Sequence, residues 1–125
     1  MKTSILLLFT LVLFSCSKDN SKASNAFSII SCTKTDAKPG SFATLSLTVK
    51  NNSNLEMGCW AYIKIKKNGV IIETDNVVYS SLNPGETQVE EAWLSKINTH
   101  SEYDVAEVKL TWNVDSFSYS RTYNY

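Results

Sequence analysis

From residue 26 to residue 125 the apolar positions recur at every second residue. Ala43, Leu45, Leu47 and Val49 alternate with Thr44, Ser46, Thr48 and Lys50. Cys59, Ala61, Ile63 and Ile65 alternate with Trp60, Tyr62, Lys64 and Lys66, and Ala106, Val108, Leu110 and Trp112 with Val105, Glu107, Lys109 and Thr111. A period of two sends successive side chains to opposite sides of an extended chain, so each run predicts a strand with one buried face. Four more strands are expected at Phe27–Thr35, Val70–Tyr79, Thr87–Leu94 and Phe117–Tyr125. Turn chemistry separates the runs at Lys38-Pro39-Gly40, Asn51-Asn52-Ser53-Asn54, Asn83-Pro84-Gly85 and Val114-Asp115-Ser116. Asn68-Gly69 predicts a two-residue hairpin, because both residues tolerate positive φ. No stretch of this region carries a capped helical pattern of useful length.

Seven short strands in about 100 residues predict one all-β domain. A single small sheet cannot bury its apolar face alone, so the strands should divide into two packed layers. The expected fold is a seven-stranded antiparallel sandwich of immunoglobulin-like type. Residues 41 to 94 carry a further pattern. Val49-Lys50-Asn51-Asn52 closes one strand, Ala61-Tyr62-Ile63-Lys64-Ile65-Lys66-Lys67-Asn68-Gly69 forms the next strand and turn, and Leu82-Asn83-Pro84-Gly85-Glu86 precedes another. This order resembles the FxLYD-type and related immunoglobulin-like domains of bacterial envelope proteins. Ile65-Lys66-Lys67 stands where that family has its Leu-Tyr-Asp element. The resemblance implies the fold and an envelope setting, and no particular activity.

The N-terminus is patterned differently. Lys2 precedes ten residues, Ile5 to Phe14, of which nine are apolar. A helix crossing a bilayer needs about 20, so residues 1–15 read as a secretory signal peptide. The junction Leu13-Phe14-Ser15-Cys16 resembles a bacterial lipobox, which implies that Cys16 becomes the acylated N-terminus. Cys16-Ser17-Lys18-Asp19-Asn20 is similar to the export signal of Bacteroidetes surface lipoproteins, with one acidic residue where the fuller signal has two. Residues 16–25 contain no apolar side chain larger than alanine after the cysteine and read as a solvated tether, leaving 26–125 as the domain. The expected location is the cell envelope at the outer membrane, with the periplasmic and surface faces both open.

Charge narrows the partners. Lys2 is the only charge lost with the signal peptide, and 11 basic and 12 acidic side chains remain. That balance supplies no electrostatic footprint for nucleic acid. Catalytic chemistry finds no constellation: His100 is the single imidazole, set between Thr99 and Ser101, and Glu90 and Glu91 point to opposite faces of a strand. No cofactor or metal is expected. Cys32 and Cys59 form an even pair once Cys16 is acylated, and in an oxidising compartment they are expected to form a disulfide, the alternative being two buried thiols.

The remaining chemistry is aromatic. Phe117, Tyr119, Arg121, Tyr123 and Tyr125 share one face of the last strand, while Trp60 and Tyr62 share a face with Lys64 and Lys66. If the two faces coincide outward, they form a ridge of rings and cations suited to a protein partner or a sugar. The alternative is that the 117–123 face packs inward over the core. Two functions fit these features: a non-catalytic lipid-anchored module that binds or spaces protein partners, or an accessory carbohydrate-binding lipoprotein of a glycan-uptake system.

Overall fold

The computed structural model describes residues 22–125. The expected signal peptide and Cys16 lie outside the described residues, and the expected tether is described only from Lys22. Seven strands follow in chain order: β1 (Phe27–Thr35), β2 (Ala43–Asn51), β3 (Met57–Lys67), β4 (Val70–Leu82), β5 (Thr87–Leu94), β6 (Val105–Val114) and β7 (Phe117–Asn124). A 3-10 turn, His100–Glu102, interrupts the β5–β6 connection. All pairings are antiparallel, in a three-stranded sheet β1-β2-β5 and a four-stranded sheet β4-β3-β6-β7.

The alternating runs bury as read. Leu45, Leu47 and Val49 of β2 face Ala61, Ile63 and Ile65 of β3 and Val108 and Leu110 of β6 across one continuous core. Asn68 and Gly69 take φ of 50° and 76° and join β3 to β4 as the Asn-Gly hairpin. Gly58 answers a different demand: a Cβ there would lie 2.5 Å from the Tyr79 carbonyl oxygen, where the β3–β4 register shifts between Met57 and Cys59. Trp112 packs edge-on against Phe27 and donates from Nε1 to the Ala23 carbonyl at 2.8 Å. Residues 22–24 are helical and lead directly into this contact, so the chain is pinned to the domain from Ala23 onward.

Sequence alternation did not foresee how the two layers are closed. β5 is an edge strand, paired only with β2, and its outer N–H groups face β4 of the other sheet. Glu73 and Asp75 of β4 are partners in register of Ile65 and Ile63, hence point to the core side. Glu73 accepts from the backbone N–H of Ser95 at 2.7 Å, from the Ser95 hydroxyl at 3.1 Å and from Lys96 N–H at 3.1 Å. Asp75 accepts from Trp93 N–H at 3.1 Å. On the opposite margin, the Tyr123 hydroxyl of β7 accepts from Ile29 N–H of β1 at 3.2 Å. Carboxylates and a phenol thus stand in for missing strands at both margins.

Glu73 is buried, and no cation is among its bonding partners. Replacing it with alanine leaves the N–H groups of Ser95 and Lys96 without their acceptor, and an unsatisfied buried donor costs about 1–3 kcal/mol. Glu73→Ala should therefore lower stability by at least about 2 kcal/mol in urea titration, whereas Glu91→Ala, exposed on β5, should change it by less than about 0.5 kcal/mol.

Candidate functional site

β3 lies inside the four-stranded sheet, between β4 and β6, so its outward side chains are surrounded on both sides. Because Cys59, Ala61, Ile63 and Ile65 are buried, Trp60 and Tyr62 must point out; they are 41% and 47% exposed. Pairing carries this face across the sheet: Val78, Trp60, Thr111 and Ser120 form one row, and Asn76, Tyr62, Lys109 and Thr122 the next. Trp60, Tyr62, Lys109, Thr111, Asn113 and Ser118–Ser120 line a shallow depression of about 490 Å³. Its lining combines the rings of Trp60, Tyr62 and Tyr119 with hydroxyl, amide and ammonium groups.

Tyr119, Arg121 and Tyr123 do not join Trp60 and Tyr62 on that face. Register places Tyr119 opposite Trp112, Arg121 opposite Leu110 and Tyr123 opposite Val108, all three partners core-facing. Tyr119 and Tyr123 therefore turn inward at the margin of the core while Phe117 and Arg121 of the same strand stay exposed, and the outward ridge of rings and cations is corrected to two rings on β3. Tyr119 stacks on Trp112 with ring centroids 6.3 Å apart, and only its rim reaches the depression. Tyr123 is spent on the seam with β1, flanked by Tyr125 at 6.2 Å and by the Arg121 guanidinium at 5.3 Å. Burial pushes the Tyr125 phenol up to about 12. Ser118, Ser120, Thr122 and Asn124 occupy the face that β7 shares with Trp60 and Tyr62.

The expected disulfide is also corrected: Cys32 and Cys59 are both free. Cys59 pairs in register with Tyr79, and Cys32 with Leu47. The Tyr79 hydroxyl crosses between the layers and donates to the Leu47 carbonyl at 2.8 Å, so a buried ring occupies the path from one cysteine's row to the other. Burial pushes the Cys59 thiol up to about 12 and raises Cys32 as well, with Lys34 opposing. Both therefore stay protonated at neutral pH.

Sequence reading missed two features. Phe42 and Trp93 form an exposed aromatic pair, centroids 6.3 Å apart, on the three-stranded sheet; Trp93 is the outward residue between buried Ala92 and Leu94, which alternation alone marks. His100, the single imidazole, is exposed but tied: its Nδ1 lies 2.6 Å from Asp36 Oδ1, and its backbone N–H donates to the same oxygen at 2.8 Å. Those bonds, the backbone one foremost, hold the Asp36 carboxyl below the usual range. The pair joins the β1–β2 loop to the 3-10 turn. Among the described residues no group of three or more His, Cys, Asp or Glu is placed to hold a metal ion, and no helix is long and apolar enough to cross a membrane.

Comparison with protein-family models, curated proteins and solved structures found no match for this chain.

Two free thiols have a direct signature. Intact mass of the protein should not change on adding reductant. In the native state Cys32, partly exposed, should alkylate, while Cys59 should react only after denaturation. A gain of about two mass units on reduction would restore the disulfide.

Proposed function

We propose that this chain is a non-catalytic, lipid-anchored binding module of the bacterial cell envelope, engaging a protein partner through the outer face of β3. The observation that carries the reading is the pair Trp60 and Tyr62, held outward at the centre of the sheet face beside a depression otherwise lined by Tyr119 and by polar side chains. Large rings exposed on a rigid strand lose little conformational freedom on binding, and Trp and Tyr are the residues most enriched at interface hot spots. An open, shallow depression fits an extended surface better than an enclosed small molecule. Anchoring rests on the lipobox-like Leu13-Phe14-Ser15-Cys16, with the outer membrane as destination.

The same reading places the sandwich in the immunoglobulin-like group, near the FxLYD-type domains. Its strand order supports this: β1-β2-β5 facing β4-β3-β6-β7 keeps the three-and-four layering of that group, with the fourth strand moved to the larger sheet.

A specific observation keeps the glycan alternative in view. Thr111, Asn113, Ser118 and Ser120 surround the rings with hydrogen-bonding side chains of the kind that hold sugar hydroxyls. A photo-crosslinking residue at Tyr62 in cells separates the readings. A discrete protein adduct that disappears in Trp60→Ala supports the protein partner, and retention of the domain by a polysaccharide gel, lost in the same variant, supports the glycan. Trp60→Ala should weaken binding by more than about 1 kcal/mol, at a stability cost well below the roughly 3–5 kcal/mol of removing a buried aromatic such as Trp112. A variant that binds both as well as wild type would remove β3 as the site.

A further inference from the structure

The pole where the chain enters the domain carries apolar side chains in solvent. Leu55, in the β2–β3 loop, and Phe117, at the start of β7, are 55% and 66% exposed. They belong to one end of the sandwich. Lys22, Ala23 and Asn25 line a groove together with Asn52, Leu55, Met57, Val114 and Asp115, and Phe117 is the register partner of Val114. The exposure of Leu55 is built in. Buried Asn51 donates from Nδ2 to the Leu55 carbonyl at 2.8 Å and to the Leu82 carbonyl at 2.9 Å, and the Ser53 hydroxyl accepts from Leu55 N–H at 3.2 Å. Phe117 sits beside the two-residue turn whose Asp115 takes φ of 53°. Both side chains are thus presented outward by ordered backbone.

Chain length says what lies beneath this end. Residues 17–21 alone separate Cys16 from Lys22, so at most about 20 Å of extended chain joins them. The entry is fixed by the Trp112 Nε1 bond to Ala23 and by Asn52 N–H donating to the Ala26 carbonyl at 2.7 Å. β3 runs from this pole to the other over 11 residues, roughly 35 Å at 3.3 Å per residue. With a lipid on Cys16, this pole cannot leave the headgroups by as much as the domain's own length. A surface held so near experiences an effective lipid concentration at which weak apolar contacts suffice.

We propose that the pole bearing Leu55 and Phe117 rests on the lipid headgroups, so that the domain stands with its strands upright and the Trp60–Tyr62 face turned sideways. The inference rests on lipidation of Cys16. Glu56, Glu86 and Asp115 share this end with Lys22 and Lys50, so the contact is apolar and does not require anionic lipid. Val70, 64% exposed at the β3–β4 hairpin of the far pole, is as apolar and lies beyond reach, which makes it the internal control.

The test uses the full-length lipidated protein in phosphatidylcholine vesicles containing a headgroup spin label. A fluorophore is placed in turn through Leu55→Cys, Phe117→Cys and Val70→Cys, each in a Cys32→Ser background, since Cys59 is buried. Quenching at 55 and 117 should exceed that at 70 by at least twofold, and should persist without anionic lipid. Protein that floats with the vesicles but is quenched equally at all three positions keeps the anchor and overturns the resting pole. Protein that does not float overturns the anchor, and the contact with it.

Discussion

The N–H groups of Trp93, Ser95 and Lys96 point at another sheet instead of another strand, and that mismatch governs how this sandwich is built. Two sheets of three and four strands stack by apolar burial, which is strong but has no direction. At the margins, edge strands still carry backbone donors that must be satisfied. Glu73 and Asp75 meet them along β4 and β5, and Tyr123 meets Ile29 along β7 and β1. The layers are thereby fixed in relative position by hydrogen bonds that the core could not specify. The oxygens of buried Glu73 are thus spent on N–H and O–H donors of the neighbouring sheet.

The same accounting explains which aromatic residues are available for binding. Tyr123, Tyr119 and Tyr79 lie on core-facing positions and serve closure: one bonds β1, one covers Trp112, one bridges the layers to Leu47. Trp60 and Tyr62 have no such duty. Among the described residues no strand pairs with the far side of β7. Ala106 and Tyr125 exchange both backbone bonds, so by alternation Ser118, Ser120, Thr122 and Asn124 turn their N–H and C=O groups away from β6. The free edge therefore borders the depression, beside the hydroxyl side chains of Ser118 and Ser120.

The strands were legible because most of them bury only one face. Phe27–Thr35 and Thr87–Leu94 fall at the bounds that alternation and turns imply, and the Asn68-Gly69 hairpin follows from positive φ. β4 was read three residues short, to Tyr79, because Ser80 and Ser81 look like turn residues; Ser81 indeed takes φ of 57°, yet the strand continues to buried Leu82. Glu73 and Asp75 were invisible as structural groups, since carboxylates on a strand read as solvated. The clue was present: counting back by twos from Tyr79 through Val77 places both on the core side. The aromatic face failed for a related reason. Alternation within β7 and within β3 was right, but their relative phase depends on the β6 register, which no single strand encodes. The disulfide failed because an even cysteine count says nothing about what lies between, here Tyr79.

Native-state amide hydrogen exchange tests the closure of the seam most directly. If carboxylates hold the β5 margin, the amides of Trp93, Ser95 and Lys96 should be protected to the same order as ladder amides of β2, while those of Ser120 and Thr122 on the open edge of β7 exchange at near-unprotected rates. Exchange at Ser95 and Lys96 as fast as at Ser120 would contradict the account, because the carboxylates of β4 would then not be holding the β5 margin.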